Sequence, residues 1–207
     1  MGLNIHMLKM LFKQISMDKC KGLNICELGN LYVAEDVHPF LISHGIPLCH
    51  TAKELFNHFG FNDISIDLNG KDGALPLDLG KPIKKFRGKF DVLINGGTTE
   101  HVDNQYICWK NIHNLCKENA LVVSVVPLNG NMINHKSWRY SLKFFNDLAD
   151  VNKYKVLQSR IISLNPEKLD MNCVYFSFRR NSGKFIRKRR FVKIWNENND
   201  IKALDEW

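Results

Sequence analysis

The sequence LNICELG (residues 23–29) carries a short apolar run that ends in an acid and a glycine. Similar short runs recur as DISIDL (63–68), ALPLDL (74–79) and FDVLIN (90–95), each followed closely by glycine, with asparagine or proline nearby. Apolar runs of this length, bounded by residues that break strands, are typical of strands buried on both faces of a parallel sheet. We therefore predict four strands in the first half of the chain.

Helical patterns alternate with the strands. We predict helices over residues 4–18, 51–60, 104–119 and 141–152, and further strands over 120–127, 155–164 and 172–180. The last two strands follow each other without a helix between them, which predicts an antiparallel end to the sheet. The sequence thus predicts an α/β fold: a doubly wound, mostly parallel sheet of seven strands, with an antiparallel C-terminal strand and helices on both faces.

Composition limits the cellular setting. The 207 residues are 44% hydrophobic and 24% charged, as in soluble globular proteins, and no apolar run is long enough for a membrane helix. The N-terminal segment lacks the apolar core and cleavage site of a signal peptide. The six cysteines are scattered without a CxxC pair, which favours a reducing compartment. We expect a cytoplasmic protein.

We expect residues 1–180 to form one domain and residues 181–207 to form a basic C-terminal extension. The stretch 31–50 has little pattern, and it either folds over the site as a lid or packs elsewhere. The histidines at 38, 44 and 50 and the neighbouring Cys49 match no zinc spacing, so we expect no metal.

Acids and glycines gather at the predicted strand ends. The first strand ends in Glu27 and Gly29, the second reaches Asp67, the third reaches Asp78, and the fourth ends in Asn-Gly-Gly at 95–97. Ligands of open α/β sheets bind beyond the carboxyl ends of the strands. Glycine lets the backbone approach a ligand closely, and a carboxylate after the second strand can accept hydrogen bonds from a ribose diol.

These segments, taken in order, resemble the class I S-adenosylmethionine-dependent methyltransferases over roughly residues 23–180. NICELG is similar to the family's first motif, SIDLNG to its second, LPLDL to its adenine-side motif and KFDVLINGGTTEHV to its fourth-strand motif. The resemblance implies a Rossmann-like fold and S-adenosyl-L-methionine as cofactor. It implies contacts to that cofactor from Glu27, Gly29, Asn30, Asp67, Leu68, Asp78, Leu79, Asn95, Gly96 and Gly97.

Two features depart from the family pattern. Asn30 and Leu31 follow Gly29 where further glycines are usual, and Glu27 and Asp67 are 40 residues apart. The related dinucleotide fingerprint places its acid about 20 residues after its glycines. That fingerprint also needs G-x-G-x-x-G to hold a pyrophosphate, so the single glycine argues against a nicotinamide cofactor. The absence of a P-loop argues against a kinase or ATPase.

Two histidines are candidates for a general base. Methyl transfer to a hydroxyl needs alignment of the reactants and removal of the hydroxyl proton. His101, in the TTEHV segment after the fourth strand, is the first candidate, and His135, after the fifth strand, is the second. Each has a structural alternative, as a residue that positions a loop or caps a helix. Trp138, Arg139 and Tyr140 either line an acceptor pocket or pack on the following helix.

The first interpretation is O-methylation of a small molecule or glycan. Residues 179–193 carry eight Lys or Arg residues and no acid, with Phe185 and Phe191 among them and Trp195 just beyond. This pattern either binds nucleic acid, which would indicate an RNA or other nucleic acid methyltransferase, or is a solvated extension with aromatic residues packed on the sheet edge. A degenerate fold that binds a partner without catalysis is a third possibility. The oligomeric state stays open.

Overall fold

A computed structural model describes residues 2–128, 140–163 and 172–198. The strands of this part of the chain form one sheet, in the order β2-β1-β3-β4-β6-β5. Neighbours among β2, β1, β3 and β4 pair in parallel, and β6 is antiparallel to both β4 and β5. The strands are β1 (Asn24–Leu28), β2 (Asn62–Ile66), β3 (Phe90–Gly96), β4 (Cys116–Pro127), β5 (Lys155–Ser163) and β6 (Asn172–Arg179).

Helices cover both faces of the sheet. The first face packs against α1 (Ile5–Phe12), α2 (His38–Ser43) and α3 (Ala52–His58), and the second against α4 (Gln105–Leu115), α5 (Leu142–Asn152) and α6 (Lys188–Asn198). A capping box starts α3: the Thr51 side chain accepts from the Glu54 N–H while the Glu54 carboxylate accepts from the Thr51 N–H. The predicted α/β fold with helices on both faces is confirmed.

The prediction of a strand over residues 74–79 is wrong. This segment joins the sheet only through an isolated bridge between Leu75 and Ile66. Pro76 follows at once and has no N–H for a ladder. Asp78 Oδ1 then accepts from the Gly80 N–H at 2.8 Å, which turns the chain away. The sheet of the described residues therefore has six strands, where seven were predicted.

Two helix boundaries and one additional helix also differ from the predictions. The N-terminal helix ends at Phe12 instead of continuing to residue 18, and a separate 3-10 turn spans Met17–Lys19. The helix predicted over 104–119 ends at Leu115, because β4 begins at Cys116. Within 31–50, α2 was not predicted; its buried Leu41 joins the core below α1.

The basic C-terminal segment contributes to the core. In α6, Phe191, Ile194 and Trp195 are buried, and the Trp195 ring lies edge-on against Phe144 of α5 with the centroids 5.0 Å apart. Phe185 is also buried against this cluster. These aromatic side chains are therefore core residues and are not exposed to stack on bases. Within the described ranges, every helix is too short or too polar to cross a membrane.

Candidate functional site

A cavity of about 670 Å³ opens at the carboxyl ends of β1, β2 and β3. Its volume lies in the usual range for small-molecule sites, about 300–1,000 Å³. The last residue of β2 and residues from the loops after β1, β2 and β3 line it: Gly29, Asn30, Leu31, Ile66, Asp67, Leu68, Leu77, Asp78, Leu79, Gly80, Lys81, Gly97, Thr98, His101, Val102, Asp103 and Asn104. The ends of three neighbouring strands thus share one cleft.

Gly29 fits the turn after β1 because it has no side chain. Its φ of 86° lies in the left-handed region, and a Cβ there would collide with the Thr98 hydroxyl. That hydroxyl donates to the Leu28 carbonyl at 2.6 Å, so it is fixed in place. The loops after β1 and β3 therefore approach each other as closely as a glycine allows.

Asp67 joins the loop after β2 to the loop after β1. Its Oδ2 accepts from the Asn30 N–H at 2.9 Å, and its Oδ1 accepts from the Asn69 N–H at 3.0 Å. Each carboxylate oxygen has a further lone pair. The half-buried carboxylate is thus held by the backbone at the cavity wall, in a position to accept donors from a ligand.

Asp78 and Leu79 form a second wall, which α4 holds in place. Asn111 of α4 donates from its side-chain amide to the Leu79 carbonyl at 2.9 Å and to the Lys81 carbonyl at 2.8 Å. The Asp78 carboxylate accepts from the Gly80 N–H and lies 3.5 Å from Lys81 Nζ. This wall offers a carboxylate beside an apolar surface, since Leu77 and Leu79 also line it.

Asn95 and Gly96 shape the cavity without lining it. Asn95 is fully buried; its amide donates to Thr99 Oγ1 at 2.9 Å and Ser124 Oγ at 2.8 Å, and its carbonyl oxygen accepts from the Thr98 and Thr99 N–H groups. A Cβ at Gly96 would come within 3.0 Å of Leu31. Of this predicted trio, Gly97 alone contacts the cavity.

Glu27 lies outside the cavity. Side chains alternate along a strand: Cys26 and Leu28 of β1 face α4, so Glu27 faces the α1–α3 side together with Ile25. Burial raises the pKa of Glu27 well above its usual value, and the charge of neighbouring Asp63 adds to the shift. Burial also raises the pKa of Asp63, to about 6. Glu27 and Asp63 thus form a buried pair of carboxyl groups, and burial favours the protonated form of each.

Solved structures of other proteins share this architecture. No protein-family model matches the sequence, and no curated protein is similar to it in sequence. In fold, the chain resembles the 1,6-didemethyltoxoflavin-N1-methyltransferase of Burkholderia thailandensis, with a TM-score of 0.58 and 10% identity over 86% of this chain and 78% of that one. A methyltransferase in complex with the Haloferax volcanii Trm112 activator gives 0.55 and 9%, over 86% and 90%. The chain has the class I methyltransferase fold.

The methyltransferase fold alone does not determine the reaction. The [4+2]-cyclase SpnF also matches, with a TM-score of 0.50 and 8% identity over 86% of this chain and 81% of that one. Any activity must therefore be argued from the residues of this chain's own cavity.

His101 lines the cavity of the methyltransferase fold, at the end of the 3-10 turn Thr99–His101 that follows β3. Its side chain is exposed, so a ligand can reach the imidazole. His135 lies outside the described residues, as do Trp138 and Arg139. Tyr140 is fully buried against Trp109 and is part of the core.

Glu100, beside His101, is 1% exposed. Burial raises its pKa to about 7. A carboxyl group at this position changes charge near neutral pH, and it does so within one residue of the cavity.

Several lining residues escaped the sequence reasoning, among them Thr98, Val102, Asp103 and Asn104. All four follow β3 within eight residues, so their distance from a predicted strand end was an available signal. Among the described residues, no group of three or more His, Cys, Asp or Glu side chains could hold a metal.

Proposed function

We propose that the protein binds S-adenosyl-L-methionine and transfers its methyl group. The observation that most supports this proposal is the meeting of Gly29, Asp67, Asp78 and Gly97 in one cleft beyond three parallel strands. The structural neighbour from Burkholderia thailandensis was solved with S-adenosylhomocysteine bound. The residues of this cleft fit the same type of cofactor.

Each wall of the cavity suits one part of the cofactor. The Asp67 carboxylate accepts hydrogen bonds from the ribose hydroxyls, while its links to Asn30 and Asn69 keep it aimed at the cavity. Asp78 accepts from the exocyclic amine of adenine, and Leu77 and Leu79 contact the ring. The turn at Gly29 lets the loops after β1 and β3 meet beside the place of the methionine part, because no side chain there collides with Thr98.

The cofactor, when bound, supplies an activated methyl group. The protein then has to orient an acceptor in line with that group and take up the acceptor's proton. His101 is the base in this proposal, because its imidazole lines the cavity on the β3 side. The buried Asn95 holds the loop after β3, and neither Asn95 nor Glu27 lines the cavity.

The acceptor that follows is a hydroxyl group, on a small molecule or a glycan. A neutral imidazole suits an alcohol acceptor, which has to lose a proton as the new C–O bond forms. A nucleic acid acceptor is the second candidate, and the observation in its favour is that two strongly basic segments, residues 81–89 and 179–193, both lie against α4.

Isothermal titration calorimetry with S-adenosylhomocysteine tests cofactor binding. We expect affinity in the micromolar range, about −8 kcal/mol. NAD is the matched control ligand: it carries the same adenosine, but its pyrophosphate needs a glycine-rich loop that this chain lacks. Absence of S-adenosylhomocysteine binding, or equal binding of NAD, would contradict the proposal and favour a fold that binds a partner without methyl transfer.

A further inference from the structure

Two segments far apart in the sequence are strongly basic. Residues 81–89, KPIKKFRGK, contain five Lys or Arg residues and no acid, and residues 179–193 contain eight and no acid. The fold places both segments against α4.

Residues 81–89 run along one side of α4. The Ile83 N–H donates to Asn111 Oδ1 at 3.0 Å, and the Gly88 N–H donates to the Asn114 carbonyl at 2.8 Å. Both ends of the segment are thus held by the same side of the helix. The side chains of Lys84, Lys85 and Arg87 are exposed.

The C-terminal segment runs along the other side of α4. The Tyr106 hydroxyl donates to the Ile186 carbonyl at 3.3 Å, and His113 Nε2 lies 3.0 Å from the Gly183 carbonyl oxygen. Burial lowers the pKa of His113 to about 4, so its ring stays neutral within this contact. Next to it, Lys184 and Arg187 are exposed.

Lys110 lies on α4 between the two segments, with its ammonium group 5.4 Å from the ring centroid of Tyr106, the residue that contacts the C-terminal segment. Together with Lys84 and Arg87 it lines a shallow cavity of about 200 Å³, whose other described lining residues are uncharged. We call residues 81–89, Lys110 and residues 180–193 the basic face; the Arg179 guanidinium is not part of it, because it donates to the Gln14 carbonyl just after α1. The basic face comprises two cationic segments and one lysine along α4, which is roughly 16 Å long at 1.5 Å per residue.

The basic face reaches the rim of the proposed cofactor cavity at two places. Lys81 lines that cavity directly. Lys188 of α6 lines a small crevice with Asp103 and Asn104, and these two residues also line the cofactor cavity. A polymer bound along the basic face therefore passes the mouth of the cofactor cavity.

We infer that the basic face binds the sugar–phosphate backbone of RNA and brings a ribose hydroxyl to the cavity. An extended row of cations suits a polymer with regularly spaced phosphates. The oxygen chemistry proposed for His101 selects RNA, because the 2′-hydroxyl distinguishes it from DNA. The binding step stands independently. Delivery of the ribose hydroxyl rests on the proposed methyl transfer, with the second candidate acceptor, a nucleic acid, in place of a small molecule or glycan.

An anionic membrane fits the basic face less well. Peripheral membrane binding combines basic residues with apolar side chains that enter the lipid. The large apolar side chains exposed in the described residues are Tyr32, Ile42, Leu48, Leu68, Val156 and Ile161, and none belongs to the basic face. Of its aromatic residues, Phe185 and Phe191 are buried. Phe86 is half-buried, and the ammonium groups of Lys85 and Lys89 lie over its ring, 4.8 and 5.0 Å from the centroid. We therefore expect contacts to phosphates with little preference for base sequence.

Fluorescence anisotropy with a fluorescein-labelled, mixed-sequence, single-stranded RNA tests the binding. The variant Lys84→Ala/Arg87→Ala/Lys110→Ala removes three cations that do not line the cofactor cavity. The control Lys9→Ala/Lys13→Ala/Lys19→Ala removes the same charge from exposed positions on or just after α1, on the opposite face of the sheet. We expect at least tenfold weaker binding at low salt for the first variant and near wild-type binding for the control.

The salt dependence gives a second readout. Each phosphate contact to a single strand adds about 0.7 to the slope of log affinity against log salt, so the first variant should lose about 2 from that slope. Absence of RNA binding by the wild type at low salt, or equal loss in both variants, would overturn the inference. Binding to phosphatidylserine vesicles without binding to RNA would overturn it in favour of a membrane.

Two further measurements separate this inference from the proposed function. S-Adenosylhomocysteine affinity should be unchanged in the Lys84→Ala/Arg87→Ala/Lys110→Ala variant, so that its weaker RNA binding reports the three lost cations. Tritiated methyl groups from S-adenosylmethionine should enter RNA and not DNA of the same sequence. Equal methyl transfer to RNA and DNA would contradict a ribose acceptor. RNA binding without S-adenosylhomocysteine binding would contradict the proposed function and leave the RNA-binding inference in place.

Discussion

Asp67 Oδ2 accepts a hydrogen bond from the Asn30 backbone N–H at 2.9 Å, so the carboxylate after β2 also holds the loop after β1. The residue proposed to bind the ribose therefore positions the residues proposed to surround the methionine part. A change at Asp67 acts on both.

Substitution of Asp67 by asparagine should weaken S-adenosylhomocysteine binding by about 1.5–3 kcal/mol, or roughly 10- to 100-fold, because a charged acceptor is lost. Calorimetry measures this directly. Asp72→Asn is the matched control, since Asp72 bonds the Asn30 side chain but does not line the cavity. Equal affinities for wild type and Asp67→Asn would remove Asp67 from the site.

Gly29→Ala should abolish measurable cofactor binding and lower the free energy of unfolding. A methyl group there collides with the Thr98 hydroxyl and also occupies a left-handed backbone position. Gly22→Ala separates the two effects: Gly22 has a φ of 82° with nothing within 4 Å of the added Cβ, so it should cost only about 1–2 kcal/mol. Chemical denaturation and calorimetry on both variants test this difference. Similar losses in the two would mean that the Thr98 contact is unimportant.

His101→Gln should reduce methyl transfer by about 10²- to 10⁴-fold, the usual contribution of a general base, while S-adenosylhomocysteine affinity stays near wild type. The readout is the rate of methyl incorporation into RNA, the acceptor inferred for the basic face, with His58→Gln as a control at an exposed position on α3. Retention of full activity in His101→Gln would assign the imidazole a positioning role or none.

The buried carboxyl of Glu100 should make stability depend on pH. Since burial raises its pKa from 4.5 to about 7, the native state binds more protons than the unfolded state between these values. The free energy of unfolding should therefore fall as pH rises through this range, by on the order of 3 kcal/mol for this group. In Glu100→Gln, this contribution to the fall in the free energy of unfolding should be absent.

The measurement is urea unfolding from about pH 4.5 to pH 7, taken as the difference between wild type and Glu100→Gln, so that the contributions of Glu27 and Asp63 largely cancel. Glu118→Gln, at an exposed position, is the control. A difference that does not change with pH would contradict the raised pKa.

Trp195→Ala should cost about 3–5 kcal/mol of unfolding free energy, because the buried indole packs against Phe144 and Phe191. Lys193→Ala, at an exposed position of the same helix, should leave stability nearly unchanged. Thermal and urea unfolding compare the two. If Trp195→Ala were as stable as Lys193→Ala, α6 would be a detachable extension. Deletion of residues 181–207 would remove the same core side chains, so we expect it to destabilise the fold as well as to remove basic residues.

The sequence predicted the position of the cavity well and its individual contacts less well. Strand ends are visible as apolar runs stopped by glycine or asparagine, so Gly29, Asp67 and Gly97 were placed correctly at neighbouring strand ends. The direction of each side chain is harder to predict, because a shift of one residue along a strand reverses the face. Glu27 is one residue before the end of β1 and points to the opposite face.

Long-range packing accounts for the other differences. The run ALPLDL has the composition of a strand, but Pro76 and the turn at Asp78 allow it one bridge. The relation between residues 81–89 and 179–193 could not be read from either segment, because it depends on the position of α4. In the sequence Phe191 and Trp195 stand among charged residues, and only their packing against α5 identifies them as core residues.

The strand order has a consequence for how the chain folds. Along the sequence β5 precedes β6, but β5 pairs only with β6 among the described strands, while β6 pairs with β4. This half of the sheet cannot extend outward in the order of synthesis, because the edge strand has to wait for a later one to dock. The pairing of β6 with β4 is non-local, because α5 and β5 lie between these strands in the sequence, and non-local pairing slows folding. We expect the β5–β6 hairpin to form as a unit and to join β4 late, after the parallel strands have assembled.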